Sequence, residues 1–415
     1  MSALLIHKES CRVCDRKRLV KVLSLGPTPL ANAFLEQHQT RDAEVYYPLD
    51  AYLCRDCGLL QLLDVVAPEI LFKDYVYVSS TSPVFIAHFR NFAEEAFSRF
   101  SLNRNSFVVD IGSNDGILLK PFKEKGARVL GVEPDAKIAA LAKQSGIDSI
   151  VEFFSPAVAK AIVKRYGRAD VVTATNVFAH IDDIHAVAKG VKKLLAPHGI
   201  FIIEVPYLGD FLQKNLFDTV YHEHLSYFCL FALALFFKRA GMRIIDVERV
   251  PTHGGSVRVF AANIGSRHEV TSRVKQLLSL ERKLKLNEAK TYRRYGLRIL
   301  QNRAKLLSLL SGLKQKGKRI AGYGAPAKGN TLLNFFSIGN DLLEYIVDDS
   351  PHKQGKHTPG KRVPVVSSSR LSKNPPDYLL ILAWNFADSI MKKNESFRKG
   401  GGRFIIPVPY PKIIS

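Results

Sequence analysis

The sequence predicts an α/β protein: a central Rossmann-like parallel sheet, an N-terminal module built on paired cysteines, and a second, smaller Rossmann-like unit at the C-terminal end. Three observations carry this. From about residue 106, Val- and Ile-rich runs alternate with helical segments, the pattern of a parallel sheet covered on both faces. Two strand-to-glycine turns, VVDIGSNDG and RIAGYGAPAKGN, each open such a series. Two C-x-x-C pairs precede both of them.

The pairs are CRVC, Cys11 and Cys14, and CRDC, Cys54 and Cys57. Each makes a tight knuckle that presents two thiolates to one ion, and two knuckles complete a tetrahedron with no open position. The predicted metal is therefore a structural Zn2+ held by Cys11, Cys14, Cys54 and Cys57. Cys229 lies in an apolar run and reads as a packed thiol.

In the central series SFVVDIGSNDG is a buried strand ending in a turn, ARVLGVEPD is the second strand, ADVVTATNVFAH the third and GIFIIEVPY the fourth, with a helix over 182–195. GMRIIDVERV and GSVRVFAANI read as an antiparallel pair closing the sheet through PTHGG. Residues 268–316 are charged and helical, with leucines that pack but sustain no heptad. After the second glycine turn, LLEYIVDDS, PDYLLILAWN and GRFIIPVP supply the strands of the smaller parallel unit.

The chain of 415 residues exceeds one ordinary domain, so two or three are expected. The longest apolar run, Phe228–Phe237, falls far short of the roughly 20 residues a membrane span needs. The first residues, MSALLIHKESC, show no apolar signal-peptide core, so the expectation is a cytoplasmic protein without membrane partners. A net charge of +22 fits phosphorylated ligands or polyanions. Lys and Arg are spread along the chain, without aromatic platforms interleaved, so no nucleic-acid partner is expected; the expected state is a monomer or weak homo-oligomer.

The first glycine turn points to a cofactor. Asp110 ends its strand, and Gly112 and Gly116 let backbone approach a ligand. A dinucleotide site would read G-x-G-x-x-G; here Asn114 stands where the middle glycine belongs. An acid entering the turn disfavours phosphate and favours a cationic amino-acid ligand, while Glu133 at the next strand end is placed for both hydroxyls of a ribose. With Asn176 in ATNVFAHIDD after the third strand, these residues predict S-adenosylmethionine rather than a nicotinamide.

At this point the sequence resembles the S-adenosylmethionine-dependent sugar C-methyltransferases that act on nucleotide-linked 4-keto-deoxysugars. The residues that carry the likeness are CRVC and CRDC with LGPTPLANAFL between them, YVYVSSTSPVFIAHF, DIGSNDG, ATNVFAHIDD, EVPYLGDF, FDTVYHEHLSYF, GGSVRVF, GYGAPAKGNTLLNFF and VDDSPHKQGKHTPG, in order over nearly the whole chain. The resemblance implies a zinc-binding module (1–70), a class I methyltransferase domain with a Rossmann-like sheet (71–267), a helical connector (268–316) and a C-terminal Rossmann-like domain (317–415). The substrate would lie between the modules.

TVYHEHLSYF remains to be placed. A carbon beside a ketone becomes a nucleophile only after losing a proton, which requires a base, a donor near the ketone oxygen and a positioned substrate. Metal binding is the weaker reading: His222 and His224 are two apart, whereas H-E-x-x-H histidines share a helical face. A structural polar knot is the third reading. By the resemblance His224 is the general base, with Tyr221, Glu223 and His180 lining the sugar, and the choice between His224 and His180 stays open. The resemblance also places Tyr75 and Ser79 near the substrate. Lys328, in GYGAPAKGN, adds its charge to backbone N–H groups suited to a diphosphate, unless that unit serves only as a lid. The rival functions are an RNA methyltransferase using the basic surface and a non-enzymatic ligand-binding scaffold.

Overall fold

The computed structural model describes residues 5–71, 80 and 83–415. Tyr75 and Ser79 lie outside the described residues.

At the N-terminal end β1 (Leu5–His7) pairs antiparallel with β5 (Asp64–Val66). Next to it β2 (Leu19–Ser24), β3 (Asp50–Cys54) and β4 (Leu60–Leu62) form an antiparallel meander. Its fourth strand comes from far along the chain: β11 (Ser226–Tyr227) pairs with β4, Ser226 opposite Gln61 and Tyr227 opposite Leu60. YHEHLSYF thus runs directly into the sheet of the cysteine module.

The central sheet contains β6 (Phe107–Ile111), β7 (Arg128–Val132), β8 (Ser149–Ile150), β9 (Ala169–Thr175), β10 (Leu195–Pro206), β12 (Met242–Val250) and β13 (Ser256–Asn263), in the order β12-β13-β10-β9-β6-β7-β8. The first five are parallel; β13 runs antiparallel to both β10 and β12. Every residue of β6 is buried, which explains its unbroken apolar reading. Crossover helices start where their caps dictate. Asp135 accepts from the N–H groups of Lys137 and Ile138, Ser155 caps a helix with proline in its first turn, and Asp183 accepts from Ala186 N–H. The helix Pro83–Arg99 buries Phe85, Phe89, Phe92, Ala93 and Ala96, a helical stripe laid on one face.

A second sheet follows, β14 (Ile320–Tyr323), β15 (Ile346–Val347), β16 (Val365–Val366), β17 (Tyr378–Ile381), β18 (Arg403–Ile406) and β19 (Lys412–Ile414), ordered β16-β15-β14-β17-β18-β19. It is parallel except for β19, which pairs antiparallel with β18. Only residues 407–411 separate those two strands, too few for the crossover that a parallel pair requires.

Between the sheets lie the helices Ser272–Leu284 and Ala289–Gln315. Glu281 accepts from the N–H groups of Leu230 (2.6 Å) and Phe231 (2.9 Å), so a side chain of one helix caps the buried start of another. Asn302 donates to Pro407 O (3.0 Å), joining the long helix to the second sheet. The stretch between the cysteine pairs also reaches that sheet's loops. Leu35 and His357 exchange backbone hydrogen bonds, Asn330 donates to Ala31 O (2.7 Å), and Glu44 accepts from Gly360 N–H (2.8 Å). Among the described residues no helix is long and apolar enough to cross a membrane.

Candidate active site

The turn after β6 is held by the next strand end. Gly112 takes φ +66° and Gly116 φ +79°; a Cβ on them would come within 2.7 Å of Val177 and 2.9 Å of Ile147. Asn114 also takes a left-handed φ, +48°, as asparagine tolerates. Glu133 accepts from Asn114 N–H (2.9 Å) and Asp135 N–H (3.0 Å). Two bonds leave a carboxylate with further acceptor capacity, which suits the vicinal hydroxyls of a ribose. Asp110 is buried in the sheet, accepts from Thr173 Oγ1 (2.6 Å), and is pushed up to about 7 by burial. Asn176, at φ +57°, follows β9; its N–H donates to Glu204 O (2.8 Å) and its Oδ1 is buried without a partner among the described residues. A buried acceptor beside an open turn is what a bound ligand would satisfy. These residues stand at the carboxyl ends of parallel strands, where such sheets bind ligands.

Four residues beyond Asn176 comes His180, which stacks on His224 with ring centroids 5.0 Å apart. His224 Nδ1 lies 2.9 Å from Thr219 O, and a carbonyl only accepts, so Nδ1 carries the proton. Nε2 therefore presents its lone pair, and Tyr221 OH donates to it at 2.7 Å. Burial holds His180 down to about 4, and burial holds His224 well below its ordinary value. Both imidazoles are neutral near pH 7, the form that accepts a proton. His222 faces the other way, its Nε2 donating to Pro48 O (3.1 Å) and Tyr47 O (3.3 Å). Glu223 accepts from Asn32 Nδ2 (2.6 Å) and is pushed up to about 7 by burial. The three side chains of HEH thus diverge. Among the described residues only Cys11, Cys14, Cys54 and Cys57 form a group able to hold a metal ion.

Lys328 enters from the second sheet. It sits in the first turn of the helix Ala327–Phe336, almost fully buried, its ammonium 4.6 Å from the ring centroid of Trp384. Burial lowers it to about 8, against the attraction of Asp218. Asp218 accepts from Trp384 Nε1 (2.5 Å) and its other oxygen is buried without a partner among the described residues.

The sequence reading did not single out Asp218, Trp384, Asn32, Arg12 or His253. Arg12, inside the first knuckle, is almost fully buried; it donates through Nε to Asp182 Oδ1 (2.9 Å) and through Nη1 to Leu62 O. It ties the cysteine module to the loop that carries His180. No local motif marks such residues, because their partners are distant in sequence.

The four cysteines fit zinc. A tetrahedral ion with bonds of about 2.3 Å sets thiolates about 3.8 Å apart. Cys11 and Cys57 Sγ atoms are 3.4 Å apart, Cys14 and Cys54 3.5 Å, and all four lie within 4.8 Å of one another. The knuckles share one geometry: Asp15 N–H donates to Cys11 O and Gly58 N–H to Cys54 O, both at 2.9 Å and both at left-handed residues. The ion this set holds is structural, because no coordination position stays open.

Family models match three successive stretches: "Putative zinc binding domain" over 11–72, "Methyltransferase domain" over 85–247 and "C-methyltransferase C-terminal domain" over 251–409. C-methyltransferase NovU of Streptomyces niveus is 41% identical over 407 residues, 98% of this chain and 97% of the relative. The chain belongs to this C-methyltransferase family. It is an enzyme that transfers methyl groups. A ubiquinone biosynthesis O-methyltransferase of Rhodopseudomonas palustris (strain BisA53) is 30% identical over 127 residues, 29% of this chain and half the length of that relative. Among solved structures, the 1,6-didemethyltoxoflavin-N1-methyltransferase of Burkholderia thailandensis is similar over 51% of this chain and 95% of its own, at 20% identity and TM-score 0.38.

Proposed function

We propose that this C-methyltransferase takes its methyl group from S-adenosylmethionine and delivers it to a carbon beside the ketone of a nucleotide-linked 4-keto-deoxysugar, through an enolate. The observation that carries the reading is the neutral Tyr221–His224 pair, stacked on His180 beside the glycine turn. A saturated carbon has no lone pair to offer, so methylating it requires a proton acceptor, and this pair is one. When bound, S-adenosylmethionine supplies the electrophilic methyl; Glu133 would take its ribose and Asn176 its polar tail. The carbon-bound proton leaves toward the pair, with His224 Nε2 its final acceptor and Thr219 O fixing the tautomer. His180 and Glu223 flank the sugar. Lys328 supplies positive charge for the nucleotide's phosphates, and Tyr75 and Ser79 complete the substrate contacts.

The test pairs two measurements on His224→Ala. Solvent deuterium exchange at the carbon beside the ketone should fall by about 10²–10⁴, the usual worth of a positioned base, while S-adenosylmethionine binding by calorimetry stays unchanged. Exchange at the wild-type rate would remove His224 from the role. Labelled cofactor with a panel of nucleotide 4-ketosugars identifies the sugar.

A further inference from the structure

One titratable group beside the Tyr221–His224 pair has no task in the scheme above. His253 lies in PTHGG, between β12 and β13, at φ +55° and ψ +21°. A non-glycine residue holds such a conformation at a cost in strain and only where its surroundings enforce it. Here they do. A Cβ on Gly254 would come within 2.7 Å of the Trp384 ring, and one on Gly255 within 2.5 Å of the Asp210 carboxyl. On the other side Thr252 Oγ1 donates to Glu204 (2.9 Å), and Glu204 in turn binds His88 (2.8 Å) and Arg258 (3.0 Å) in the sheet. The loop is clamped on both sides of the strained residue.

The ring of His253 makes no hydrogen bond to any described residue; its neighbour is Phe85, with centroids 5.3 Å apart. Its chain neighbour Gly254 packs on Trp384, whose ring centroid lies 4.6 Å from the Lys328 ammonium. Lys328, Glu204, His180 and His88 act on His253 electrostatically, as it acts on His224, so it borders that cluster. Burial keeps it neutral, at about 3. A neutral imidazole keeps one N–H donor and does not give it up readily. That makes it a hydrogen-bond donor to a developing oxyanion, not a general acid.

Resting on the function proposed above, we propose that His253 donates a hydrogen bond to the ketone oxygen as it becomes the enolate oxygen. The balance is closed. The C–H bond breaks, its proton goes to His224 Nε2, and its electron pair forms the C=C bond while the C=O pair moves onto oxygen. His253 holds that oxygen without transferring a proton. Methylation then returns the oxygen pair to C=O, the C=C pair takes the methyl carbon, and the S–C bond breaks to leave the thioether.

Two variants separate this role from a structural one. His253→Gly removes the ring and accepts the left-handed backbone, and His253→Asn tolerates that backbone while keeping an N–H donor. With wild-type zinc content and S-adenosylmethionine affinity, His253→Gly should lose about 10²-fold or more in kcat and in deuterium exchange, with KM for the ketosugar nearly unchanged. His253→Asn should recover at least tenfold of that loss. A His253→Gly enzyme within threefold of wild type, or an equal loss in both variants, overturns the assignment and leaves the enolate reading standing. If the wild-type enzyme exchanges no proton in any nucleotide 4-ketosugar, the enolate reading falls and this assignment with it.

Discussion

The two Rossmann-like units close their first turn with the same device and put it to different use. After β6, Glu133 at the end of β7 accepts from the turn's Asn114 N–H and from Asp135 N–H two residues on. After β14, Asp348 at the end of β15 accepts from Ala325 N–H (2.6 Å) and from Ser350 N–H, again two residues on (2.8 Å). The difference is what else reaches the acid. In the C-terminal unit Lys353 fills the space, donating to Ala325 O (2.9 Å) and standing 4.0 Å from Asp348. In the central unit no lysine does so among the described residues, and Asn176 Oδ1 has no partner among them. The second turn supplies its own cation. The C-terminal unit also sends Lys328 toward the cluster of His224 and Asp218.

The sharpest way to break the comparison is to remove what clips both units together. Cys54→Ser should lose zinc, measured as metal per protein, and destabilise the module by several kcal/mol in thermal unfolding, since metal binding and folding are coupled there. A folded, active, metal-free variant would refute the structural role. Next come the matched acids. Glu133→Gln should weaken S-adenosylmethionine by about 10–100-fold in calorimetry, the worth of a charge-assisted hydrogen bond. Asp348→Ala should leave that affinity unchanged and cost about 1–3 kcal/mol of stability by orphaning two N–H groups. Equal effects on cofactor binding would show that the two turns do the same work. The smallest effect is one of pH. Lys328, lowered to about 8, is charged below that pH and neutral above it, so affinity for the nucleotide's anionic phosphates should fall as pH rises through 8. Lys328→Arg should keep its affinity across that range.

What was legible in the sequence follows from local physics. The long strands β6, β7, β9 and β10 announce themselves as buried apolar runs, and the cysteine knuckles as spacing. The two-residue strands β8 and β16 do not, because so few residues carry no period and their pairing is decided by neighbours already in place. In the site, His224, His180 and Lys328 sit in dense polar motifs that invite attention. Asp218 and His253 stand as single polar residues in ordinary loops, and Arg12 hides in a knuckle where only the cysteines catch the eye. Their importance comes from contacts more than 100 residues away, Asp218 with Trp384 and Arg12 with Asp182, which no window on the sequence can contain.

The pairing of β11 with β4 bears on how the chain matures. Leu60, Gln61 and Leu62 are fully covered in the finished protein, yet their covering strand is synthesised long after them. On the ribosome the cysteine module can bind its ion while still presenting a bare apolar edge, a template for wrong partners. Excised alone it would be prone to self-association, and the late arrival of YHEHLSYF both seals that edge and sets the Tyr221–His224 pair in position.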